Sequence, residues 1–407
     1  MTAKAKMANG NAFAGKYTGA QSEVIAGSGA TLALADGTTL LDFSSSLFGY
    51  GHQAVLTSVA AQMNVLPQST RMFLNHPLAN LVTRLAEVLP GDLSVTYPCN
   101  SAGEAVEGAL KLALGHQRRS GRSTFVAASG SDHGHTAGAA AVSSVRSVAD
   151  LETGAPFRTR FVRFGDLAAL HRAASDHRPA GIVVEPIATG QGLAIPGVEY
   201  LTGVREVCER VGALLIVNET ATGLGATGNL LACDRSDVVP DIVILGSALG
   251  GGVLPVGAYV TTEAINDRVY GHCGPWMHGS ATGGNPLACA SAVAALDVII
   301  RDDVARQCAA HGATIAARLV ALADRFPDLI LDSAGAGHLA AVHWRSAAIA
   351  ATVSAVARRE GLLLHSGRFA TSWTGLRAPL IATTGEIDAG LEILEEAAEH
   401  TRQKAAS

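Results

Sequence analysis

The sequence holds no dense block of lysine or arginine, and its net charge of −5 is only mildly negative. Nucleic acid and acidic membrane surfaces are therefore excluded as natural partners. It has no apolar stretch long enough to cross a bilayer. The polar, small-residue leader from Met1 to about Lys16 lacks the apolar core of a signal peptide and reads as a disordered tail. Its six cysteines (Cys99, Cys208, Cys233, Cys273, Cys289 and Cys308) are scattered, with no CxxC pair. They read as reduced thiols of a cytoplasmic protein rather than a disulfide framework. What is present is a chain nearly half hydrophobic, rich in alanine and glycine and poor in aromatics. That is a globular α/β composition. At 407 residues it exceeds one core, so one large domain with a smaller one is expected.

Short apolar runs alternate with helical stretches. Ser123 to Ala128, Gly181 to Glu185, Leu214 to Asn218, Ile242 to Gly246 and Val256 to Val260 are rich in Val, Ile and Leu and bounded by Gly, Pro or polar residues. They read as buried strands. Helical periodicity fits Ala105 to Leu114, Leu201 to Val211 and Pro286 to Ile300. The alternation predicts a mostly parallel sheet covered by helices, with ligands beyond the carboxyl ends of its strands. Asn218, Ser247, Glu185 and the Ser131-Asp132-His133 turn lie at or near such ends. From about Asp302 longer amphipathic helices (Val304 to Phe326, Ala347 to Glu360, Glu386 to Arg402) flank shorter strands. The expected division is a large domain over 52–300 and a small C-terminal domain over 301–407, with 1–51 packing against the latter.

Seven segments, in order, carry a family resemblance. They are Asp36-Gly37-Thr38 with Leu41-Asp42-Phe43; Asn100-Ser101-Ala102-Gly103-Glu104-Ala105; His133-Gly134-His135-Thr136; Val184-Glu185-Pro186; Leu214 to Gly228; Ser247-Ala248-Leu249-Gly250-Gly251-Gly252; and His278-Gly279-Ser280 with Gly284-Asn285-Pro286. Over Gly29 to Ala398 the chain resembles the class III aminotransferase family, of fold type I among pyridoxal-phosphate (PLP) enzymes. The resemblance implies an α/β fold: a large domain with a mostly parallel sheet plus a smaller α+β C-terminal domain. It also implies a homodimer whose site residues are shared across the interface.

The matched segments depart from the family at the positions that hold its cofactor. Ser247 stands where the resemblance puts the Schiff-base lysine, and serine forms no imine. The chain has five lysines, Lys4, Lys6, Lys16, Lys111 and Lys404, four of them near the ends. Asn218 replaces the aspartate under the ring nitrogen, Asp132 the stacking aromatic, Thr220 a valine and Ala221 a glutamine. In the segment reaching across the dimer, Ala281 replaces a phosphate-binding threonine, with Thr282 adjacent; the phosphate turn reads Ser101-Ala102-Gly103. Each lost charge or stacking contact removes on the order of a kilocalorie per mole or more of cofactor binding. The expectation from these losses is that no cofactor is used and PLP is not bound covalently. The old phosphate site (Ser101, Ala102, Gly103, Ala281, Thr282) is then left for a substrate or anion. Ungapped alignment puts Gly375 at the family's substrate-carboxylate arginine. Arg377, two residues on, faces the same side of a strand.

Asp132, His133, Glu185, Asn218, Glu219 and Ser247 are expected to line one cavity as catalytic candidates, with His133 and Asp132 transferring protons. A scaffolding role stands beside that reading for His133, Glu185 and Glu219. For Asp132 it carries less weight, because a carboxylate there replaces an apolar wall residue. Asp132, His133 and His135, with His272, Cys273 or His278, are conceivable metal ligands, but His-x-His spacing is weak and no metal is expected. Gly250-Gly251-Gly252 lacks the Gly-Lys-Ser/Thr ending of a P-loop and reads as an inherited turn. The functional expectation is a repurposed enzyme of secondary metabolism. It would act without PLP Schiff-base chemistry on a small polar metabolite, by acid–base elimination, cyclisation, isomerisation or condensation. The alternatives are a non-catalytic partner subunit of an active paralogue and an enzyme using pyridoxamine phosphate noncovalently.

Overall fold

The computed structural model describes residues 23–45, 48–70, 72–144, 157–271, 277–366 and 370–406. Its strands are β1 (Val24–Ser28), β2 (Thr31–Leu34), β3 (Thr39–Phe43), β4 (Leu93–Cys99), β5 (Thr124–Ser129), β6 (Arg158–Arg163), β7 (Gly181–Val184), β8 (Leu214–Asn218), β9 (Ile242–Leu245), β10 (Gly257–Thr262), β11 (Ile330–Ala336), β12 (Leu339–Trp344), β13 (Leu362–Ser366) and β14 (Trp373–Arg377). The main helices are α1 (Gln53–Val65), α2 (His76–Val88), α3 (Ala102–His116), α4 (Ala137–Val142), α5 (Leu167–His177), α6 (Glu199–Val211), α7 (Glu263–Tyr270), α8 (Pro286–Arg301), α9 (Val304–Arg325), α10 (Ala347–Arg359) and α11 (Thr384–Ala406).

The first sheet runs β4-β10-β9-β8-β7-β5-β6. The five strands from β9 to β6 are parallel, and β10 is antiparallel to both its neighbours. The five expected strands are present as β5, β7, β8, β9 and β10. Their continuous apolar runs follow from burial on both faces. In β8, Leu215 and Val217 enter a core with α1, α2 and α8, while Leu214 and Ile216 enter another with α3. This is the two-residue alternation of a pleated strand.

The second sheet runs β1-β2-β3-β13-β14-β12-β11 and is built from both ends of the chain. Its central join is parallel, with Leu41, Asp42 and Phe43 opposite Leu362, Leu363 and Leu364. Helix α9 ties the two halves together: Val304 and Cys308 lie in the large-sheet core, Ile315, Leu319 and Leu322 in the second. Between them a directed hydrogen-bond chain crosses the junction. His338 Nδ1 faces the Pro379 carbonyl at 2.9 Å, so that nitrogen donates and Nε2 accepts. His311 Nδ1–H therefore donates to His338 Nε2 at 2.9 Å, and Thr384 Oγ1–H donates to His311 Nε2 at 3.1 Å. Burial and the neighbouring His311 push His338 down to about 4. Among the described residues no helix is long and apolar enough to cross a membrane.

Candidate active site

Four parallel strands deliver polar residues to one edge of the first sheet. Asp132 and His133 follow β5, Glu185 follows β7, Asn218 ends β8, and Ser247 follows β9 as the start of a short 3₁₀ turn. Helix α3 begins beside them because Ser101 caps it, its Oγ accepting from Glu104 N–H at 3.1 Å. The Ser101 carbonyl accepts from Ala105 N–H, so the first-turn N–H groups of Ala102 and Gly103 have no partner within the helix. Ala102 and Gly103 line a cavity of about 530 Å³ with Asp132, His133, His135, Thr220, Ala221, His365, Trp373 and Arg377.

The floor is rigidly wired. Asn218 Oδ1 accepts the Thr220 N–H at 3.1 Å, which fixes the amide orientation. Its Nδ2 then donates to His133 Nδ1 at 3.0 Å, so His133 carries its proton on Nε2. That Nε2–H is buried with no hydrogen-bond partner in the protein. Burial, against the weaker pull of Asp132, pushes His133 down to about 4, so the ring is neutral near pH 7. Glu185 is 3% exposed. One carboxyl oxygen accepts from Asp132 N–H at 3.1 Å and the other from Thr189 Oγ1–H at 3.0 Å. Burial, reinforced by Asp132, pushes it up to about 8 despite those bonds and the pull of Arg377.

The second sheet supplies the remaining wall. Arg377, at the end of β14, donates from Nη2 to the Thr189 carbonyl at 3.2 Å. Burial lowers its guanidinium, while Glu185 and Asp132 hold it up. His365, on β13, meets the Ser44 carbonyl through Nδ1 at 2.8 Å. Burial and the nearby Arg377 push it down to about 4. Trp373 packs over Gly192, where a Cβ would lie 2.6 Å from the indole and φ is +90°.

Of the residues singled out from sequence, the cavity gathers Ala102, Gly103, Asp132, His133, His135, Thr220, Ala221, Gly375 and Arg377. Asn218 and Glu185 lie directly behind its lining, bonded to His133 and Asp132. Glu219 turns away: it accepts from Thr222 Oγ1–H and Cys233 N–H, and burial raises its carboxyl. Ala281 and Thr282 do not line the cavity; Thr282 Oγ1 donates to Asn100 at 3.1 Å, just before the cap. His272 and Cys273 fall outside the described residues. Among the described residues no group of three or more His, Cys, Asp or Glu side chains is arranged to hold a metal. Sequence reasoning passed over His365, Thr189 and Trp373. The one available signal was a histidine ending an otherwise apolar strand, Leu362-Leu363-Leu364-His365.

Residues 16–398 match the family model described as aminotransferase class-III. Ornithine aminotransferase from Toxoplasma gondii, crystallised with oxidised glutathione, is 28% identical and superposes with a TM-score of 0.88, over 99% of this chain and 97% of that one. Acetylornithine aminotransferase from Elizabethkingia anophelis is 26% identical, with a TM-score of 0.80 over 97% of this chain and all of that one (100%). A transaminase from the marine bacterium Virgibacillus, 22% identical, shares the fold at a TM-score of 0.91 over 99% and 98%.

The Toxoplasma enzyme carries PLP in its active site at partial occupancy. This finding corrects the expectation that no cofactor is used. That expectation weighed the lost lysine, the ring contacts and the altered phosphate-site residues one by one. A capped helix N-terminus and a cavity of this size do not depend on the lysine or the ring contacts, and both are present here.

Proposed function

Because the chain belongs to the class-III aminotransferase family, we propose that its cavity takes a pyridoxal or pyridoxamine phosphate without a covalent bond to the chain and acts on a small amino or oxo carboxylic acid. The observation that carries this reading is a cavity that keeps the helix N-terminus and an arginine, while no described lysine lines it. Lys111 donates instead to the Met277 carbonyl, and Lys404 is exposed on α11. Ser247 occupies the place the resemblance gives to the lysine.

The residues present fit a phosphorylated ring on two counts. Free N–H groups at the start of α3 suit a phosphate, aided by the positive end of the helix dipole. A buried Nε2–H on His133 supplies a donor without a partner. They do not fit a covalent imine. When bound, the cofactor supplies an amino-group carrier and an electron sink. The chain supplies the rest. Arg377 holds a carboxylate, and Thr189 with Glu185 fixes the loop that carries Asp132. Glu185 is protonated near neutral pH, so it leaves the charge of Arg377 to Asp132 and the substrate. A homodimer fits the exposed apolar run Met72, Phe73 and Leu74.

Calorimetric titration with each vitamer, followed by borohydride treatment and intact-mass measurement, tests the reading. Saturable binding of at least one vitamer that leaves the chain mass unchanged is expected. A stoichiometric pyridoxyl adduct on one lysine overturns it, as does failure of both vitamers to bind at millimolar concentration.

A further inference from the structure

His365 and Arg377 stand on neighbouring antiparallel strands, and His365 pairs in register with Gly375. Paired residues share a sheet face, and so do residues two apart on one strand. His365, Gly375 and Arg377 are therefore on one face, and His365, Gly375 and Arg377 all line the cavity. The missing side chain at Gly375 makes the room: a Cβ there would sit 3.2 Å from His365 Cβ and 3.4 Å from its Cδ2.

The tautomer of His365 is set by its partner. A carbonyl only accepts, so the 2.8 Å contact with Ser44 places the proton on Nδ1 and leaves Nε2 as a lone pair. This is the reverse of His133, whose Nε2 carries the proton and can only donate. Glu185 is no substitute, since it sits behind the cavity lining and burial keeps its carboxyl protonated near neutral pH.

We infer that His365 accepts the ammonium proton of an α-amino acid whose carboxylate Arg377 holds. The inference rests on the amino or oxo acid reading of this cavity. Free amino acids arrive as ammonium ions near neutral pH, and their nitrogen must lose a proton before it attacks a carbonyl. In that step the substrate N–H bond breaks, its electron pair stays on nitrogen, and a new N–H bond forms at His365 Nε2. The charges around the ring make the step conditional. Burial first, and then Arg377 on β14, oppose protonation of His365, while the Ser44 carbonyl and Asp132 from the β5 loop favour it. On the β3 side Asp42 is engaged by Ser44 and Tyr50. A substrate carboxylate on Arg377 cancels the opposing charge, so binding itself raises the basicity of His365.

Calorimetry with pentanoate, a carboxylate without an amine, isolates this coupling in the full-length protein and needs no cofactor. Near pH 5, titrations in two buffers of different ionisation enthalpy are expected to show net proton uptake on binding. His365→Asn keeps an N–H for the Ser44 carbonyl; it should bind pentanoate within a few-fold of wild type and lose the uptake. Arg377→Gln should weaken binding at least tenfold. Pentanoate binding without proton uptake in the wild-type protein, uptake that persists in His365→Asn, or no binding at all overturns the inference. A failure of vitamer binding would instead sink the cofactor reading and leave this measurement standing.

Discussion

Replacing Glu185 by glutamine should make this protein more stable near neutral pH, although it removes a carboxyl group beside an arginine. Burial raises the Glu185 carboxyl from 4.5 to about 8. The folded state thus binds the proton more tightly than the unfolded chain. The stability linked to that proton is complete below about pH 4.5, falls by about 1.4 kcal/mol per pH unit as pH rises, and is gone above about pH 8. At pH 7 the accumulated loss is roughly 3 kcal/mol. Glutamine is neutral throughout and avoids it. Its Oε1 still accepts the Asp132 N–H, and its amide donates to Thr189 Oγ1, which rotates to accept. The exchanged hydrogen bond costs about 1 kcal/mol at most. The net gain at pH 7 is then about 2 kcal/mol, and the wild-type decline between pH 5 and 8 should flatten. Urea denaturation of both proteins at pH 5, 6, 7 and 8 measures this directly. Equal slopes, or a variant less stable at pH 8 than wild type, would show that Glu185 is ionised in the folded state and refute the reasoning.

Ser247→Lys should create a covalent attachment point, read as a borohydride-stable pyridoxyl mass on the peptide containing position 247; vitamer binding without that mass would separate this position from the cofactor. The His311–His338 pair should make the junction acid-sensitive. Because His338 is depressed to about 4 from 6.5, its contribution is present above pH 6.5 and lost as pH falls towards 4, by up to about 3 kcal/mol. Thermal unfolding of His338→Asn should be flatter than wild type across that range; an unchanged acid slope counts against it. Gly192→Ala should lower stability by roughly 2 kcal/mol, because its Cβ meets the Trp373 indole at 2.6 Å from a left-handed backbone. A neutral effect in chemical denaturation would mean that the indole moves freely.

The large sheet was legible because each strand is marked twice, by its apolar run and by the polar residue that ends it. Leu214–Asn218 was read to the residue for that reason. The start of α3 was read three residues late, although Ser101 followed by Glu104 is the signature of a capped N-terminus. Glu219 was wrongly placed in the cavity. Adjacent strand-end residues point to opposite faces, so Asn218 toward His133 already implies Glu219 toward Cys233. His365 was out of reach for another reason. Its neighbours depend on the register between β13 and β14 and on Ser44, set by hydrogen bonding between distant segments that no local pattern encodes. The expectation of no cofactor followed from lost contacts legible residue by residue, whereas a cavity and a capped helix N-terminus are properties of the assembled fold.

The hydrogen bond that orients His365 spans 321 residues, from the carbonyl of Ser44. On a ribosome the strands of the first sheet are complete about a hundred residues before β13 emerges, and helix α8 that covers it about sixty, whereas β3 must wait for its partner. The wall bearing His365 and Arg377 therefore closes last. A nascent chain arrested before Leu362 presents the capped start of α3 without the wall that carries His365 and Arg377, and its first three strands stay unsatisfied along one edge, available to chaperones or to each other.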